Sequence, residues 1–192
     1  MGMLDKALAE GKKAIALAPN GADTNAIYSF TLLSLGRYED ALATINKAIH
    51  LNPITPMWYL LAQGTAYGNT GQYEEAITAY KKALLLNPKY LVVLHRLGTV
   101  YRMVGQYKEA IAAFKKVIHL NPNYLRAHIE LAASYSLTGQ KEKAHAEAKE
   151  ALRIDPEFSV DRWVKTEPGA IKSLRRDQKD VYINALRKAG LK

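Results

Sequence analysis

GQYEEAITAYKKALLLNP (residues 71–88) and GQYKEAIAAFKKVIHLNP (residues 105–122) align without a gap. Set out from the same glycine, GRYEDALATINKAIHLNP (36–53) and GQKEKAHAEAKEALRIDP (139–156) fall into the same register, and GMLDKALAEGKKAIALAP (2–19) is a weaker fifth copy. The closing prolines, Pro19, Pro53, Pro88, Pro122 and Pro156, stand 34, 35, 34 and 34 residues apart. A period of this length marks a chain that stacks one supersecondary unit on the next.

Each unit reads as two antiparallel helices, because two windows of 3–4 apolar periodicity are split by a Leu-Gly, Thr-Gly or Val-Gly turn. Acidic residues such as Glu39-Asp40 and Glu74-Glu75 open the second helix and lysines follow, which complements the helix dipole; Asn-Pro or Asp-Pro then ends it. Ser29, Gly64, Gly98 and Ala132 on the first helices, and Ala41, Ala76, Ala110 and Ala144 on the second, let the two approach closely. Tyr67, Tyr101 and Tyr135 recur at one position, Tyr80 and Phe114 at another, as the aromatic part of a repeated core.

These marks resemble the tetratricopeptide repeat (TPR) family over about four-fifths of the chain. The 34-residue unit has a small residue at position 8, Tyr at 11, Gly at 15, Ala at 20, an aromatic at 24, Ala at 27 and Pro at 32. Asn25, Leu60, Leu94 and His128 replace the family's tryptophan at position 4, and Gly11 and Ala148 replace the aromatic at 24. The resemblance implies an all-α, right-handed superhelical TPR solenoid of antiparallel helix hairpins with C-terminal capping helices. Residues 1–19 are expected to be a half repeat, a second helix only. Four units follow in 20–156, at about 20–53, 54–88, 89–122 and 123–156, and cap helices fill 157–192. The one-residue-longer second unit places its extra residue in Asn52-Pro53-Ile54-Thr55-Pro56, just before Trp58.

Gly2 matches the inter-helix glycines, so the first unit begins at its second helix. An apolar face left in water costs roughly 25 cal/mol per Å². The expectation is therefore either a fragment of a larger multi-repeat protein or an association surface at Ala7, Leu8, Gly11 and Ala14 through which a homo-oligomer forms. At the other end, Asp177 to Ala189 makes an amphipathic helix carrying Val181, Tyr182, Ala185, Leu186 and Ala189, expected to dock over the last hairpin because terminal repeats need a polar outer face. FSVDRWVK and YINALRKAGLK resemble the tail of TPR regions attached to bacterial class III nucleotide cyclases, which implies a bacterial signalling neighbourhood and no catalysis here.

Composition narrows the function. With no cysteine there is no disulfide, thiolate nucleophile or Cys-based metal site, which fits a cytoplasmic protein. No apolar run suits a signal peptide or membrane span. His50, His95, His119, His128 and His145 make no metal-ligand spacing, and no phosphate loop or nucleophile elbow occurs. No cofactor, metal or catalytic residue is expected. The net charge of +9 favours an acidic partner. The Lys pairs Lys12-Lys13, Lys81-Lys82 and Lys115-Lys116 recur as solvated helix faces, unlike a concentrated nucleic-acid patch.

In the family's geometry the first helices line a concave groove. That places Ile27, Phe30, Trp58, Leu61, Thr65, Asn69, His95, Arg96, Thr99, Arg102, Arg126 and Ile129 toward it, aromatic and apolar first and basic later. The leading expectation is a scaffold that binds a protein or peptide with an apolar anchor and an acidic group or free carboxylate. Self-assembly and charge-driven nucleic-acid binding are the alternatives. A chaperone-type carboxylate clamp is disfavoured because Ala62 stands where an asparagine is needed.

Overall fold

The computed structural model describes residues 2–166 and 176–192, and each regular element among them is an α-helix, as the repeat pattern requires. Residues 167–175 of the expected cap lie outside the described residues. The chain divides into two compact units, Met1–Pro88 and Lys89–Lys192. The first holds α1 (Met3–Leu17), α2 (Ala22–Ser34), α3 (Tyr38–Leu51), α4 (Met57–Asn69) and α5 (Tyr73–Leu86). The second holds α6 (Leu91–Met103), α7 (Tyr107–Leu120), α8 (Leu125–Leu137), α9 (Lys141–Ile154), α10 (Val160–Thr166) and α11 (Arg176–Lys188).

The hairpins α2–α3, α4–α5, α6–α7 and α8–α9 turn on Gly36, Gly71, Gly105 and Gly139, whose φ values of +71°, +81°, +78° and +73° lie in the left-handed region. After each glycine the next N–H reaches back across the turn. Arg37 donates to the Leu32 carbonyl at 2.9 Å, Gln72 to Tyr67 at 2.9 Å, Gln106 to Tyr101 at 2.8 Å and Gln140 to Tyr135 at 2.9 Å, satisfying carbonyls the helix end leaves open. The turn chemistry therefore sets where every first helix stops.

Within a hairpin, a missing side chain on one helix receives a ring from the other. A Cβ added at Gly64 would lie 2.6 Å from the Tyr80 ring, and one at Gly98 would lie 2.7 Å from that of Phe114. Both rings are buried. Alanine is worth about 1 kcal/mol more than glycine inside a helix, whereas overpacking a filled core costs about 1–3 kcal/mol. Gly98→Ala is therefore expected to destabilise the chain; a raised urea midpoint would contradict this account of the packing.

The tryptophan slot is filled in two ways. Leu60 and Leu94 are buried there, while Asn25 and His128 are buried polar residues that tie down the preceding proline turn. Asn25 donates to the Pro19 carbonyl at 3.1 Å, and His128 Nε2 lies 2.9 Å from the Pro122 carbonyl. Both replace aromatic packing by a bond to the same backbone oxygen, six residues upstream.

Candidate interaction surfaces

In the first unit α2 and α4 are neighbours, and their shared face rests on a core of Ala26, Ile45, Ala48, Tyr59 and Ala62. Tyr59 is fully buried, and its hydroxyl donates to Asp23 Oδ1 at 2.6 Å, fixing α4 to α2. Burial first, and then the Asp23 carboxylate, push the phenol up to about 12. Phe30 and Trp58 pack on this core by one side. Their rings stack at 6.1 Å and 27°, and the Trp58 ring meets that of Tyr59 edge-on at 4.4 Å. Both remain half-buried, Ile27 beside them is 62 % exposed, and Leu61 is half-buried. Thr65 donates to the Leu61 carbonyl at 2.8 Å and lies 3.2 Å from the Tyr80 hydroxyl of α5, while Asn69 donates to the Thr65 carbonyl at 2.8 Å, so both side chains are engaged within the chain.

The second unit treats the corresponding residues differently. His95, Thr99, Arg102 and Ile129, expected to face a ligand, are buried; Arg96 is half-buried and Arg126 exposed. The physical reason at Arg102 is that α11 lies against α8 and sets Tyr182 over it, with the guanidinium 4.2 Å from the ring centroid. Arg102 Nε donates to Glu130 Oε2 at 2.7 Å. Burial opposes the Arg102 charge, but Glu130 outweighs it and raises the guanidinium pKa. Arg126 lies 5.7 Å from the buried Trp163 ring of α10, a cation–π arrangement.

Two histidines carry opposite pH dependence. His95 lies between Phe114 and Tyr124, at ring distances of 5.7 and 5.4 Å, and its Nε2 finds no hydrogen-bond partner among the described residues. Burial first, then the charges of Arg96, Arg126 and Arg102, lower its pKa to about 3. The unfolded chain takes up this proton below the ordinary value of about 6.5. Stability from His95 is thus present above that value and lost as pH falls toward 3. At His128, burial disfavours the charge, but Nδ1 faces Glu147 Oε2 at 2.7 Å and Nε2 faces the Pro122 carbonyl. Two acceptors require two ring N–H groups, so the pKa is raised. This contribution is full below about 6.5 and lost as pH rises through the folded-state value. In urea unfolding across pH 4–9, His95→Leu is expected to flatten the acid side and His128→Gln the alkaline side; parallel profiles for all three proteins would refute the assignment.

At the first helix, Ala7 and Ala14 are exposed and Leu8 is half-buried. Gly11 is not part of an outward surface: a Cβ there would lie 2.4 Å from the Tyr28 ring, so Gly11 receives α2 of its own chain. The outward face of α1 instead carries Met3, 90 % exposed, and Leu17, 88 % exposed. Among the described residues no group of three or more His, Asp or Glu side chains could hold a metal, and no helix is long and apolar enough to cross a membrane.

Tetratricopeptide repeat models match residues 57–120 and, in a second form, residues 1–64 and 101–163. The chain belongs to the tetratricopeptide repeat family. No curated protein sequence matches it. Among solved structures, a crystal structure of MamA superposes with a TM-score of 0.71 at 26 % identity, covering 82 % of this chain and 96 % of that one. MamA from Desulfovibrio magneticus RS-1, residues 41 to the end, gives 0.66 at 25 %, covering 88 % and 93 %. YrrB, described as a TPR protein with an unusual peptide-binding site, gives 0.65 at 22 %, covering 93 % and 90 %, a likeness of fold. This TPR chain is built as a protein-interaction scaffold. The residue that the sequence reading did not single out in the second unit is Glu130, the ion-pair partner of Arg102. The available signal was a lone glutamate on a first helix, 28 residues after an arginine on the preceding one.

Proposed function

We propose that the α2–α4 face of the first unit docks an apolar or aromatic anchor of a partner peptide or protein segment. The observation that carries this reading is the Phe30–Trp58 stack, held from below by the core and flanked by the exposed Ile27. Large rigid side chains fixed on one side and open on the other give contact area at little entropic cost. The net charge of +9 steers an acidic segment toward this chain and adds to the rate of encounter more than to the final affinity. Peptides selected from a random display library against the intact chain should share an apolar anchor, bind less rapidly at high salt, and fail to bind Ile27→Asp. Equal retention by the Ile27→Asp chain would refute the assignment. A bacterial signalling and cytoplasmic setting rests on the tail's resemblance and the absence of cysteine.

A second reading, self-association through α1, is favoured by the exposure of Met3, Ala7, Ala14 and Leu17, which lie on one helix face. Sedimentation should then show a concentration-dependent dimer that Leu17→Glu removes. A monomer at every concentration would eliminate this reading and leave the docking face untouched.

A further inference from the structure

The helix α11 and the turn that follows it bury Tyr182, Ala185, Leu186 and Ala189, the last three standing three, four and seven residues after the first, so one face is engaged. Its seat is not wholly apolar. Beneath Tyr182 lies a buried ion pair, Arg102 to Glu130, joining α6 to α8, and the Tyr182 hydroxyl reaches Glu130 Oε1 only at 3.4 Å. At the equivalent junction between α2 and α4 the repeat register puts Leu33 and Ala62. Stacking first helices therefore does not need the pair, and burying two charges carries a desolvation cost that their attraction must repay. What the pair does provide is a surface that stays satisfied when uncovered: Arg102 and Glu130 hold each other without help from α11. Beside α11, a cavity of about 280 Å³ lined by Arg102, Met103, Tyr107, Leu137, Val181 and Tyr182 opens the edge of the seat. Burial of the tyrosine and the neighbouring Glu130 both raise the Tyr182 pKa, so it presents a neutral phenol.

We propose that the α6–α8 face is a second docking surface, which takes an amphipathic partner helix patterned as tyrosine, then alanine and leucine at +3 and +4, then alanine at +7, and that α11 is its resident occupant, displaced when the partner binds. The arginine reads the face of an aromatic ring and the glutamate accepts its hydroxyl, so the seat selects tyrosine over an aliphatic anchor. Binding here is independent of the Phe30–Trp58 face.

The test uses the intact chain and a fluorescent synthetic peptide of residues 176–192 as the competing helix, followed by anisotropy. The wild type is expected to bind it weakly. The Tyr182→Ala, Leu186→Ala chain, its own helix loosened, is expected to bind at least tenfold more tightly, and a peptide carrying Tyr182→Ala should lose at least tenfold. Trp58→Ala should change none of these; if it abolishes binding, the peptide sits on the first unit and the proposal fails. In the wild type, amide exchange at 181–189 should be faster than at 110–117 on α7, the mark of local opening. Equal protection of the two, a folded loosened chain that ignores the peptide, or collapse of the whole fold on loosening would each overturn the proposal.

Discussion

Phe114→Ala is expected to lower the stability of the chain by about 3–5 kcal/mol. The ring is fully buried and occupies the space where Gly98 has no side chain, with three of its atoms between 2.7 and 2.9 Å from the missing Cβ. Nothing on the facing helix at that point can move in to fill the hole, because a glycine has no rotamer to change. The same reasoning makes the two sites non-additive. Gly98→Ala should cost less in a Phe114→Leu background than alone, with a coupling of about 1 kcal/mol in a double-mutant cycle. Urea denaturation checks both statements. A loss below about 1 kcal/mol for Phe114→Ala would mean that the hairpin does not depend on this ring-into-gap packing.

The second large effect concerns binding and not folding. Trp58→Ala is expected to weaken a display-selected peptide by about 2–4 kcal/mol, roughly thirtyfold to nearly a thousandfold, because a half-buried aromatic anchor is the kind of residue that dominates an interface. Arg96→Ala, by contrast, should cost little and lose its effect in high salt, as solvent-accessible charges do. Titration calorimetry separates the two behaviours. If the arginine substitution costs more than the tryptophan, the contact is electrostatic and the apolar-anchor account is wrong.

Much of the fold was legible because the repeat writes its own constraints several times. The glycines at Gly36, Gly71, Gly105 and Gly139 needed a left-handed φ in every copy, and the small residues at Gly64 and Gly98 faced an aromatic in the same register each time. What the sequence did not carry was the side-chain chemistry that an amphipathic face meets. The 3.6-residue pattern of α11 said that Tyr182, Ala185 and Leu186 would be buried, and the last hairpin was the expected place. The helix does lie on that hairpin, against α8, but the Arg102–Glu130 pair that Tyr182 meets there was not announced by the pattern. Periodicity marks which side of a helix leaves water; only long-range side-chain chemistry decides against what. Gly11 shows the same limit on a smaller scale. As a small residue on the first helix it was expected in an association surface for another molecule, but Tyr28, on the next helix of the same chain, packs there.

The most direct test of the account is chemical-shift mapping of a display-selected peptide on the intact, isotope-labelled chain. Perturbations centred on Ile27, Phe30, the Trp58 indole and Leu61 are the predicted result. A footprint confined to other surfaces, with the Trp58 indole signal unmoved at saturation, would contradict the docking face.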